Sequence, residues 1–152
     1  MIARKFFSIG AIMIMSLLGA HAFAAGGDDY APTQAKSAAY NNALALIKDE
    51  NYDQAIVKLK QAEAAAKKDA DIQNLLGFAH RKLGKLDEAA NYYKSALALD
   101  PKHKGALEYQ GELFLMLGDK VSAEKNLQKL DKICWLGCSE LDDLRTAIRN
   151  YK

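Results

Sequence analysis

Residues 70–103 read ADIQNLLGFAHRKLGKLDEAANYYKSALALDPKH, and this stretch decides the fold. Apolar residues return every three or four positions, the spacing that lines one side of a helix rather than alternate faces of a strand. Gly84-Lys85-Leu86 breaks the pattern midway. A glycine past the end of a helix takes the left-handed backbone conformation at little cost, so Gly84 ends the first helix and a second begins after it. Pro101 closes the second helix, and the unit is a helical hairpin.

The same unit lies on both sides. Sliding the chain by 34 residues aligns Ala43, Gly77 and Gly111, and likewise Ala55, Ala89 and Ala123. Leu59, Tyr93 and Leu127 form a third set, Leu46, His80 and Phe114 a fourth, and Ala62, Ala96 and Leu130 a looser fifth. The turns recur with the same period, as Glu50-Asn51-Tyr52, Gly84-Lys85-Leu86 and Gly118-Asp119-Lys120. Two antiparallel helices approach closely only where small side chains meet, which accounts for the Ala and Gly sets. The larger residue one turn after the second small position is expected to fill the space between that pair and the next. One hairpin cannot bury its apolar side alone, so the units must stack.

These residues resemble the tetratricopeptide-repeat family, in the form of a small exported bacterial member. The resemblance covers 36–137 as three repeats, 36–69, 70–103 and 104–137, and is strongest in the middle one. There Leu76-Gly77, Gly84, Ala89, Tyr93, Ala96-Leu97 and Pro101 stand where the family places them. The outer repeats depart at Glu50, Lys67, Lys120 and Leu130. The implied fold is all-α, a right-handed α-solenoid of three hairpins plus a capping helix over 138–152. In that last segment Leu141, Leu144 and Ile148 make one apolar stripe, and Ser139 followed by Asp142 reads as a capping box. Asp142, Asp143, Arg145 and Arg149 form the polar side.

The start of the chain has a different character. Arg4 and Lys5 precede an uncharged apolar run from Phe6 to Leu18, and Ala22-Phe23-Ala24 supplies small residues for a signal peptidase. We expect 1–24 to be a signal peptide cleaved after Ala24, giving a periplasmic or secreted protein. The run is too short to span a hydrocarbon core comfortably. The leader holds two of the 21 basic residues and none of the 19 acidic ones, so the remainder has 19 of each. That balance argues against a nucleic-acid partner, and without a second long apolar segment no membrane span is expected after cleavage. Residues 25–36, with Gly26, Gly27 and Pro32, read as a flexible lead-in, and His103, between two lysines after Pro101, as a solvated turn residue.

Cys134 and Cys138 are the two cysteines. An even pair in an exported chain reads as a disulfide, with Gly137 allowing the turn that brings them together. Redox exchange would more usually use C-x-x-C on a thioredoxin-like fold, and zinc would need two further ligands where the mature chain offers only His80 and His103. No cofactor or metal is expected. His80 reads as a half-buried packing residue. No serine–histidine–acid set and no phosphate-binding glycine loop is present, so the chain is not expected to be an enzyme.

The resemblance further implies that the first helices line a concave groove for another protein or peptide. Carried over by position, the lining is Tyr40 and Leu44, with Ile47, from the first repeat; Asn74, Phe78, Arg81 and Lys82 from the second; and Glu108 and Glu112, with Leu115 and Met116, from the third. Phe78 beside Arg81 is the favoured anchor, because aromatic and arginine side chains dominate binding hot spots. Leu44, Phe78 and Glu112 occupy the sites of the family's carboxylate clamp, so that clamp is not expected. Two other readings stay open: a self-associating homo-oligomer, and an exported thiol–disulfide helper using Cys134 and Cys138.

Overall fold

The structure is a computed structural model and describes residues 36–152. The signal peptide and nearly all of the lead-in expected from the sequence lie outside the described residues. Among those described, seven helices follow one another without a strand: α1 (Ala38–Lys48), α2 (Tyr52–Ala65), α3 (Ala70–Lys82), α4 (Leu86–Leu99), α5 (Lys104–Met116), α6 (Lys120–Ile133) and α7 (Ser139–Asn150). They pair as α1/α2, α3/α4 and α5/α6, each hairpin packs on the next, and α7 closes the series against α5 and α6.

The three hairpin turns share one geometry. Glu50, Gly84 and Gly118 have φ of 57°, 74° and 80°. After each, an N–H reaches back five residues to a first-helix carbonyl: Asn51 to Leu46 at 2.8 Å, Lys85 to His80 at 2.9 Å and Asp119 to Phe114 at 2.8 Å. This closure satisfies carbonyls that the helix end leaves free. Glu50 therefore adopts the glycine conformation without being glycine, at a cost of about 1 kcal/mol; the hairpin imposes the turn.

Helix starts are capped by side chains that accept free N–H groups. Ser37 accepts from Tyr40, Asn51 from Gln54, Asp69 from both Asp71 and Ile72, and Asp119 from Ser122. His103 does the same for α5, where Nδ1 accepts from Ala106 at 3.1 Å and Nε2 lies 2.9 Å from Asp71 Oδ1. An accepting Nδ1 leaves the proton on Nε2, which donates to Asp71. His103 is thus a capping residue tied to α3, not the solvated turn residue expected. Its side chain is 14 % exposed. Lys36 joins this corner through Asp69 and Asp71, at 2.5 and 2.8 Å. The expected capping box at Ser139 does not form: Cys138 is the N-cap of α7 without a side-chain cap bond, and Ser139 Oγ donates to Glu140 instead.

The small positions lie at the closest approaches. Ala43, Ala55, Ala89, Ala96 and Ala123 are fully buried. A Cβ on Gly77 would stand 2.6 Å from the Tyr93 ring, and one on Gly111 would stand 2.6 Å from Leu144. The middle glycine is therefore filled from its own hairpin and the third from α7. Leu127, expected to occupy the third site, is only half-buried. Its neighbour Asn126 turns inward and donates to Leu107 O and Gln110 Oε1 at 3.1 and 3.0 Å. The stripe on α7 is buried as expected, with Leu144 fully enclosed beside Leu107, Leu115 and Leu130.

Cys134 and Cys138 are bridged, with Cα atoms 5.6 Å apart. Gly137 takes φ 87° in the short link. The bridge ties the end of α6 to the start of α7 and leaves Trp135 and Leu136 at its tip, each 80 % exposed.

Candidate functional site

Helix periodicity puts Asn74, Phe78, Arg81 and Lys82 on one side of α3, and Glu108 and Glu112 on one side of α5. The structure joins four of these six through direct contacts. Phe78 packs between two tyrosines, Tyr52 at a centroid distance of 6.1 Å and Tyr109 at 5.0 Å. The Arg81 guanidinium lies 5.6 Å from both the Phe78 and Tyr109 rings. The Lys82 ammonium lies 5.7 Å from the Tyr52 ring and 6.0 Å from Phe78. Cations over ring faces are attracted by the negative π surface, so each holds its ring in place.

Arg81 is largely spent on the protein itself. Its guanidinium meets Glu112 at 2.6 Å, Nε donates to the Tyr93 hydroxyl at 3.3 Å, and the side chain is 11 % exposed. Tyr93 is the residue that covers Gly77, so this arginine links the core of the middle repeat to α5. Burial pushes the Tyr93 hydroxyl well above its ordinary range. Lys82, exposed at the end of α3, is the cation of the pair left facing solvent.

Glu108 and Asn74 present the opposite situation. They stand 34 positions apart, the same place in successive repeats. Glu108 is 7 % exposed, and among the described residues it has neither a hydrogen-bond nor an ion-pair partner. Burial, first, and then Glu112, Asp143 and Glu140 push its carboxyl up to about 8, against the pull of Arg81. Asn74 is 6 % exposed, and its Oδ1 is buried without a partner among the described residues. Its Nδ2 would lie 3.1 Å from a Cβ on Gly105, so the missing side chain there makes room for it.

The remaining expected residues lie apart from this set. Tyr40 is half-buried against the first core cluster with the Lys36 ammonium 5.0 Å from its ring. Leu44 is 40 % exposed and Met116 54 % exposed, whereas Leu115 is buried in the core with α7 and Ile47 packs on the first cluster. Tyr52 and Tyr109 were not singled out in the sequence. Tyr52 reads there as turn punctuation, and no repeat alignment marks Tyr109. His80 packs as expected, its ring 5.1 Å from Tyr92. Among the described residues both its nitrogens are unpartnered, and burial holds its pKa down.

Residues 70–103 match the family model described as tetratricopeptide repeat. No curated protein matches the sequence. Among solved structures, the first TPR of Spaghetti (RPAP3) bound to an HSP90 peptide is similar, with TM-score 0.65 at 18 % identity over 73 % of this chain and 88 % of that one. The Yersinia enterocolitica type III secretion chaperone SycD in complex with a peptide of the translocator YopD gives TM-score 0.64 at 19 % identity, over 74 % and 86 %. The Arabidopsis OM64 TPR domain gives 0.67 at 14 %, over 75 % and 93 %. At these identities the likeness is one of fold.

Proposed function

From the tetratricopeptide repeat matched over residues 70–103, we propose that the chain is a binding module rather than an enzyme, holding a segment of another protein along the face formed by its first helices. The observation that carries this reading is the cluster of Phe78 with Tyr52 and Tyr109, braced by Arg81 and edged by Lys82. Rigid aromatic rings with a neighbouring cation offer much contact area at low entropic cost, the usual make-up of a binding hot spot. Two of the similar structures are, by their descriptions, bound to peptides.

We place the protein outside the cytoplasm after removal of residues 1–24. The leader pattern supports this, and so does the bridged Cys134–Cys138 pair, since disulfides persist in oxidising compartments. The test is a crosslinking pull-down from that compartment with wild type and Phe78→Ala side by side. A partner recovered by wild type and lost from the variant, with helical circular dichroism unchanged, supports the reading; equal recovery moves the site elsewhere. A homo-oligomeric reading draws on the exposed Trp135 and Leu136. Concentration-dependent mass in light scattering of the isolated chain, abolished by Trp135→Ser, would favour it.

A further inference from the structure

We propose that the segment held on this face carries a lysine or arginine side chain that seats against Glu108, between α5 and α7. The proposal rests on the binding reading above and specifies what that partner must bring.

A buried carboxyl without a partner is costly, and an apolar or amide residue would serve packing better. The fold has an arginine on the facing helix, yet Arg81 is engaged by Glu112 at 2.6 Å and by Tyr93. The groups acting on Glu108 are Tyr109 and Glu112 from its own helix, Arg81 from α3, and Glu140 and Asp143 from α7. The cap thus adds two more acids to this end of the face. Of the charged groups that act on Glu108, three are carboxyls and one is a guanidinium, which is already committed to Glu112. Asn74, at the same register one repeat earlier, has its Oδ1 buried without a donor among the described residues. What the Glu108 carboxyl lacks is N–H groups with positive charge, and a lysine brings three donors and an arginine five. An acidic segment would be repelled here, and a purely apolar one would seal the Glu108 carboxyl away unpaired.

Docking also has a proton signature. In the free protein Glu108, held up to about 8, keeps its proton at neutral pH. An arriving cation favours the carboxylate, so the proton passes to the buffer as the ion pair forms.

Selection of a random peptide library against the full chain tests this. Wild type should enrich peptides with lysine or arginine at one fixed position. Glu108→Gln, which removes an unpaired buried acid and should fold, should lose that preference and bind the enriched peptides roughly 10- to 100-fold more weakly. Calorimetry in buffers of different ionisation enthalpy should show proton release with wild type and none with Glu108→Gln. Asp143→Asn, on the exposed side of α7, should give a smaller loss of the same sign. Peptides enriched without a cationic position, or a preference that survives in Glu108→Gln, overturn the proposal while leaving the binding face intact. No enrichment by wild type, or enrichment unaffected by Phe78→Ala, overturns the binding reading and this inference with it.

Discussion

The middle repeat and the third repeat solve the same packing problem differently. In the middle repeat, Gly77 is covered by Tyr93 of its own second helix, and the tyrosine hydroxyl is held in turn by Arg81. In the third, Gly111 is covered by Leu144, which belongs to α7. The first helices of successive repeats touch only lightly, as α3 and α5 do, but α7 lies firmly on α5. The middle hairpin is completed from within, and its sequence is the one that matches the repeat model. The third is completed by the cap: Leu144 takes the site, while Asn126 turns inward and Leu127 half-emerges.

This difference predicts that the cap is structural for the third hairpin, and the largest effect should come from emptying its central site. Leu144→Ala should destabilise the chain by about 3–5 kcal/mol, because the side chain is fully enclosed and the helices around it cannot collapse onto the gap. Chemical denaturation measures this. A loss below about 1 kcal/mol would mean that the third hairpin closes without the cap.

The two glycines sharpen the contrast. Gly77→Ala drives a methyl into a fixed aromatic ring, and the cost should be about 3 kcal/mol. Gly111→Ala meets the methyl ends of a leucine, which can yield by small torsional shifts where a ring cannot, so about 1–2 kcal/mol is expected. Equal losses in thermal melts would show that Leu144 is held as rigidly as Tyr93.

Glu108 gives the acidic end a pH dependence that reaches into the neutral range. Its folded value of about 8 lies above the ordinary 4.5, so the folded chain retains a proton that the unfolded chain releases. Stability from this group is full below about 4.5 and is lost as pH rises towards 8. Glu108→Gln should remove that decline, a difference that grows by up to about 1.4 kcal/mol per pH unit between those values. Parallel pH profiles of the two proteins would contradict it.

The bridge between α6 and α7 should matter less than the leucine beneath it. Closing so short a loop is worth about 2 kcal/mol in the chain-entropy model, so Cys134→Ser with Cys138→Ser should lower stability by that amount and leave helix content unchanged. The smallest effect is at the first turn, where Glu50→Gly should stabilise by about 0.5 kcal/mol as the left-handed strain is relieved against a more flexible unfolded chain. Destabilisation by Glu50→Gly would mean that the glutamate side chain itself supports the turn.

The sequence by itself determined the helical hairpins, their period, the small residues at the closest approaches and the apolar stripe of the cap. All of these follow from local backbone sterics and from a spacing that repeats along the chain. It also brought Phe78, Arg81, Lys82 and Glu112 under suspicion together, because register on a helix fixes which residues share a side. Only the tertiary structure decided that Leu144 rather than Leu127 covers Gly111, that His103 caps α5, that Tyr52 and Tyr109 enclose Phe78, and that Arg81 is spent on Glu112 while Glu108 is left bare. Each of these joins residues from different helices, and which side chain reaches across depends on the offset and tilt of one helix against the next, which no spacing along a single helix records.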